Sequence, residues 1–282
     1  MNRIMKTTTV ILAIVIGVAS ASAQSAQSAV GAQLAELNSL KDKVKDPDTR
    51  TRVDAFHQVW TIALDSDDTN VKLLGLELMK EPVGSASDHI RMPAVYAIAE
   101  VANSTTDLSV KSKALSTLKD PVAAGQLPIR LAAVDAVNSM MCFPGSASLA
   151  FEAVQLLGES VRSGNNGIRM PAINAVAHIA IASKDDRTFS AAIDLLKAPL
   201  DSMAMIGGME VRMMAVVEVE RLGMYAPEIA TKAKAMGMLQ ACANNNLWEP
   251  EARRRAADGA ARIQNSMKEM SAPDHQLPKS QT

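Results

Sequence analysis

Ile90-Arg91-Met92-Pro93-Ala94-Val95-Tyr96-Ala97-Ile98-Ala99 returns almost unchanged as Ile168-Arg169-Met170-Pro171-Ala172-Ile173-Asn174-Ala175-Val176-Ala177. The heart of this decapeptide is an Arg followed three positions later by Ala. It recurs at Arg52, Arg91, Arg130, Arg169, Arg212 and Arg253. A period of about 40 residues holding two helical patterns marks a stacked α-solenoid, because one helix pair cannot bury its apolar face alone. The expected fold is therefore all-α: a right-handed α-solenoid of about six helix-pair repeats.

Both helices of the unit are legible. The second begins at or just before each Arg. Its small column is Ala55, Ala94, Ala133, Ala172, Ala215 and Ala256. Four positions on stand Val59, Ile98, Val137, Val176, Val219 and Ala260, and seven on stand Ile62, Val101, Met140, Ile179, Leu222 and Ile263. Steps of three and four make one buried stripe. Pro93 and Pro171 are expected in the first turn, where a missing N–H costs little. The first helices fall near residues 32–41, 71–80, 110–119, 149–158, 188–197 and 231–241. They carry the columns Leu37, Leu76, Leu115, Val154, Ile193, Met236 and Leu40, Met79, Leu118, Leu157, Leu196, Leu239. A second frame keeps the same beat: Val71-Lys72 and Met79-Lys80-Glu81-Pro82-Val83 reappear one period later as Val110-Lys111 and Leu118-Lys119-Asp120-Pro121-Val122.

Loop lengths are asymmetric. The spacing from each Arg to the Met or Leu column of the next first helix never varies, from Arg52 to Met79 through Arg212 to Leu239. The spacing from that column to its own repeat's Arg is constant from Leu40 to Arg52 through Leu157 to Arg169. It then lengthens, from Leu196 to Arg212 and from Leu239 to Arg253. Every insertion thus lies in the loop inside a repeat, and the turn between repeats is constant. In stacked repeats insertions gather on one edge, often the binding edge.

Residues 1–23 read as a secretory signal: Arg3 and Lys6, an apolar stretch Val10 to Val18, and Ala21-Ser22-Ala23 as a small-x-small cleavage site. The apolar run is too short to span a bilayer, so export to the periplasm or beyond is expected, with no stable membrane insertion after cleavage. Residues 24–31 read as a linker, 32–270 as the solenoid and 271–282 as a disordered tail. Losing residues 1–23 moves the formal charge from -1 to -3, which disfavours nucleic acid as a partner. The basic cluster Arg253, Arg254, Arg255 and Arg262 reads as the solvated face of a terminal repeat. Cys142 and Cys242 fall three repeats apart, roughly 25–30 Å for helices packed at 8–10 Å, too far for a disulfide. Two free, buried thiols are expected.

The helix pairs resemble HEAT repeats, particularly the short bacterial kind. The resemblance rests on the two decapeptides above and on Val211-Arg212-Met213-Met214-Ala215-Val216, and it covers residues 32 to about 265. It implies a repeated Arg whose stem packs between repeats and whose guanidinium bonds loop carbonyls. It also allows scaffolds, transport receptors and lyase-associated proteins. Some HEAT-like proteins are metal-dependent hydroxylases with repeated His-Glu pairs. Here none of His57, His89, His178 and His275 is followed by Glu. No metal, cofactor or catalytic residue is expected, and there is no Gly-x-Ser-x-Gly elbow, phosphate loop or Cys-x-x-Cys pair.

Two surfaces remain. In HEAT-like solenoids the second helices usually line the concave side. His57, Tyr96, Glu100, Asn174 and His178 would there form a mixed polar groove for a protein or peptide, or simply a solvated face. The inserted loops offer Met203, Met205, Met209 and Trp248, as adaptable partner contacts or as a cover over the core. The leading expectation is a non-catalytic exported scaffold. A cofactor- or chromophore-handling lyase or chaperone, and a self-associating envelope protein, are the alternatives.

Overall fold

A computed structural model describes residues 27–124, 126–143, 145–201 and 208–271. The expected signal segment, residues 24–26 of the linker and residues 272–282 of the tail lie outside them. The chain divides into two compact units, one through Ser85 and one from Ala86. The first holds α1 (residues 27–40), α2 (Thr49–Asp65), α3 (Thr69–Leu78) and the single turn α4 (Lys80–Val83). The second holds α5 (Asp88–Asn103), α6 (Leu108–Thr117), α7 (Lys119–Ala124), α8 (Leu127–Cys142), α9 (Ala150–Leu156), α10 (Gly158–Val161), α11 (Asn166–Ser183), α12 (Asp186–Asp201), α13 (Gly208–Tyr225), α14 (Ile229–Ala243) and α15 (Pro250–Ser271). Among the described residues there is no strand. The architecture is all-α and built of helix-pair repeats, solenoid-like in its stacking. In the second unit α5, α8, α11, α13 and α15 pack each on the next as one layer, and α9, α12 and α14 as another.

The core follows the sequence columns. Every member of the Ala column is buried, as are Leu40, Met79, Leu118, Leu157, Leu196 and Leu239. Ile62 and Met236 are the half-buried exceptions. Four expectations need correction. Helix α1 starts at residue 27, inside the stretch read as linker. α3 and α6 start earlier than expected, at Thr69 and Leu108, because Asp68 and Asp107 cap them by accepting backbone N–H bonds. The first helices of repeats two to four are not continuous. They break at the buried residues Met79, Leu118 and Leu157, whose ψ opens to -11°, -4° and -8°, and restart as α4, α7 and α10. Finally, α5 begins at Asp88 and α11 at Asn166, which puts Pro93 and Pro171 in the second helical turn. There each fails to give an N–H to the carbonyl four positions back, His89 or Gly167.

Three of the repeated arginines, Arg52, Arg130 and Arg169, anchor the segment before their own helix. Arg52 Nη1 donates to the carbonyls of Asp46 (2.7 Å) and Pro47 (3.0 Å), Arg130 Nε to Val122 (3.1 Å) and Arg169 Nε to Ser163 (2.5 Å). Arg212 departs: its Nη2 bonds Glu249 Oε1 at 2.6 Å.

The constant turn between repeats has its own device. The Lys of the Val-Lys frame is buried, at 2 % exposure for Lys72 and 1 % for Lys111, and so is Lys232, which follows Thr231 at the same distance from its Arg, at 2 %. Lys72 Nζ donates to the carbonyls of Ala63 (3.2 Å) and Leu64 (3.3 Å) at the end of α2. Lys232 Nζ repeats this on Gly223 (3.1 Å) and Met224 (2.6 Å) at the end of α13, and adds Ser266 Oγ (3.1 Å). Lys111 Nζ reaches Ser146 Oγ at 2.8 Å, which donates onward to the Met140 carbonyl at 2.8 Å. Burial pushes the pKa of all three lysines down. At the same crossings the backbones approach closely. A Cβ on Gly75 would collide with the Ala63 Cβ, and one on Gly223 with Ile263 Cδ1 and the Ala235 Cβ.

Two glycine substitutions separate close packing from helix propensity. Gly75→Val should lower stability in urea denaturation by on the order of 2 kcal/mol through overpacking. Gly237→Ala adds a methyl that meets nothing within 4 Å and should raise stability by about 0.5–1 kcal/mol.

Candidate functional site

The second-helix layer of the second unit carries a groove of about 440 Å³. Tyr96 enters from α5, Asp135 and Asn138 from α8, and Asn174 from α11. Pro128, Leu131, Ala132, Val134, Pro171 and Ala175 complete the lining. Ala132 and Ala175 are buried. Small side chains at these positions let neighbouring helices approach, leaving the longer polar groups to stand around a shallow apolar floor. Tyr96 is 43 % exposed, Asp135 is exposed, and Asn138 and Asn174 are half-buried. Asn138 Oδ1 receives a long contact from the Cys142 thiol at 3.8 Å. Beyond the groove, Asn103 Nδ2 donates to Ser139 Oγ at 3.0 Å, joining α5 to α8.

Of the five stripe residues expected from sequence, the structure brings Tyr96 and Asn174 into this groove. Glu100 is exposed one turn beyond Tyr96, and His178 is half-buried one turn beyond Asn174; neither lines it. His57 belongs to the other unit. It lies exposed on α2 with its ring centroid 5.2 Å from Phe56 and 5.9 Å from Trp60. Asp135 and Asn138 were missed. The signal for Asp135 was its place one period after Tyr96 and one before Asn174, and for Asn138 its position one helical turn after Asp135, on the same helix face.

Met203 and Met205 lie outside the described residues, and Met209 is half-buried on α13. Trp248 is only 6 % exposed, with the Arg212 guanidinium 5.7 Å from its ring centroid. Here the cover reading fits the geometry, since a cation over an indole face and a buried ring favour packing inward. Trp248 also borders a cleft of about 420 Å³ between α12 and α14.

The terminal arginines are not a uniform solvated face. Arg255 and Arg262 both pair with Glu220 of α13, which is itself 9 % exposed. Burial would raise the Glu220 pKa, but its bonds to Arg262 and Arg255 outweigh this and hold it below the ordinary value. Both cysteines are free. Cys242 is buried, its pKa pushed up to about 11 chiefly by burial. Cys142 is exposed rather than buried, because it sits at the last position of α8. Among the described residues no three His, Cys, Asp or Glu side chains come together as a metal site, and no helix is long and apolar enough to cross a membrane.

No family model and no curated protein matches the chain. Solved structures do. A designed armadillo repeat protein in complex with peptide (KR)4 is 20 % identical, with a TM-score of 0.50 over 80 % of this chain and 98 % of that one. An engineered protein is 17 % identical, also with a TM-score of 0.50, over 83 % of this chain and 98 % of that one. An archaeal HEAT-like repeats protein from Thermococcus onnurineus NA1 is 14 % identical over 82 % and 88 %, with a TM-score of 0.48. At these identities the likeness is one of fold.

The Glu220 cluster gives a pH test. A carboxylate whose pKa is lowered on folding contributes stability above its unfolded value of about 4.5 that is lost as pH falls through the depressed folded value. Glu220→Gln should therefore lose stability at pH 7, with the deficit shrinking as the pH of a thermal-melt series falls below about 4.

Proposed function

We propose that the chain is an exported, non-catalytic scaffold of the HEAT-like kind that holds a protein or peptide segment in the groove of α5, α8 and α11. The observation that carries this reading is the groove itself. Its polar groups stand on packed helices rather than on loops, so they are positioned before any partner arrives. Asn138 and Asn174 each offer a carboxamide, which donates and accepts as a peptide unit does. The apolar floor supplies contact area without chemistry.

Support for the finer points comes from elsewhere. The HEAT-like assignment rests on the repeated Ile-Arg-Met-Pro-Ala motif and its period. Export rests on the charged start, the apolar Val10 to Val18 stretch and Ala21-Ser22-Ala23. The designed armadillo repeat protein that shares the fold was solved with a peptide bound, so a helix-repeat surface of this kind can hold one.

The test is selection of displayed peptides on the purified full chain, followed by photo-crosslinking of a selected peptide. The crosslinker is placed at Tyr96, at Asn174, or at Gln155 on the first-helix layer. Products from Tyr96 and Asn174 with none from Gln155 are expected. Failure to select any peptide, or equal products from all three positions, contradicts the proposal.

A further inference from the structure

The groove has an uneven chemistry. Its lining includes one carboxylate, Asp135, one aromatic ring, Tyr96, and the carboxamide oxygens of Asn138 and Asn174. No Lys or Arg lines it. The repeated Arg of α8, Arg130, gives its Nε to the Val122 carbonyl. Glu100, one turn beyond Tyr96, adds a second exposed carboxylate on the same face of α5. The lining itself thus offers the Asp135 carboxylate, two carboxamide oxygens and a π-face, and no fixed cation.

We infer that the segment held in this groove presents a lysine or arginine side chain, its cation set between the Asp135 carboxylate and the face of Tyr96. The inference rests on the peptide-binding reading above and names its specificity. The physical basis is charge complementarity. A carboxylate and an aromatic ring each attract a cation, and a like charge brought beside Asp135 would be repelled. Asp135 and Tyr96 come from adjacent helices of one layer, so the stacking of α5 on α8 fixes their spacing. The carboxamides on α8 and α11 then take the main chain on either side of the anchor.

The experiment uses the full chain and four fluorescent decapeptides of Ala and Ser that differ only at one central residue: Arg, Lys, norleucine or Glu. Binding is read by fluorescence anisotropy at low and at high salt. The Arg and Lys peptides should bind about three- to tenfold more tightly than the norleucine peptide, and the Glu peptide most weakly. The preference should shrink in high salt. Asp135→Asn should remove most of the preference, and Asp135→Lys should invert it. Asp135 is exposed, so neither change threatens the fold, and a control at Gln155 should do nothing. Binding of all four peptides with equal affinity would overturn the cationic anchor and leave the groove reading standing. A cation preference that survives Asp135→Asn would overturn the assignment to this residue. Binding of none would overturn both readings.

Discussion

Three buried ammonium groups secure the joints between repeats. The last carbonyls of a helix have no helical partner, and the negative end of the helix dipole lies among them. A Lys ammonium answers both needs, since it brings three donors and a positive charge to one point. Lys72 and Lys232 do this at matching positions, each taking two of the last three carbonyls of the helix before its own. The bond requires the next first helix to cross the end of the preceding second helix closely. Small residues allow that approach, at Gly75 against Ala63 and at Gly223 against Ala235. Once this joint is set, its length cannot vary. Insertions are left to the opposite edge, where α12 meets α13 and α14 meets α15.

Where the lysine is missing, another cap stands in its place. The Val-Lys frame reaches Ala150 and Phe189 in repeats four and five. There the end of α8 is served by Ser146, whose hydroxyl donates to the Met140 carbonyl. The end of α11 turns through Lys184 in the left-handed region at φ 57°, a familiar way to close a helix. The fold tolerates three solutions because each meets the same requirement.

The period, the helix pairing and the buried columns were legible in the sequence because they depend on residue type repeated in register. The lysine frame was visible as a repeat, but its burial was not. A Lys in sequence reads as a surface residue, and only the neighbouring helix end reveals what it bonds. The breaks at Met79, Leu118 and Leu157 were hidden for the same reason, since those residues are ordinary members of an apolar column. In the candidate groove, Tyr96 and Asn174 were among the polar second-helix residues named from sequence, and both line it. Asn138 was not among them; it lies on a face that the packing of α8 between α5 and α11 made part of the groove. For Trp248 the sequence left partner contact and core cover both open, and the packing of Arg212 and the ends of α12 and α14 around it favours the cover.

The groove depends on the joints, because the spacing of α5, α8 and α11 is inherited from how each repeat is set on the last. The most direct test of the joint itself is equilibrium unfolding of Lys232→Met beside Lys197→Met, an exposed lysine on α12. Lys232→Met leaves the Gly223 and Met224 carbonyls without their ammonium donor and should cost about 1–3 kcal/mol, while Lys197→Met should change stability by less than about 0.5 kcal/mol. Equal stability of the two variants, or a gain for Lys232→Met, would show that desolvating the ammonium cancels its carbonyl bonds. The close crossing of small residues would then set the joint alone.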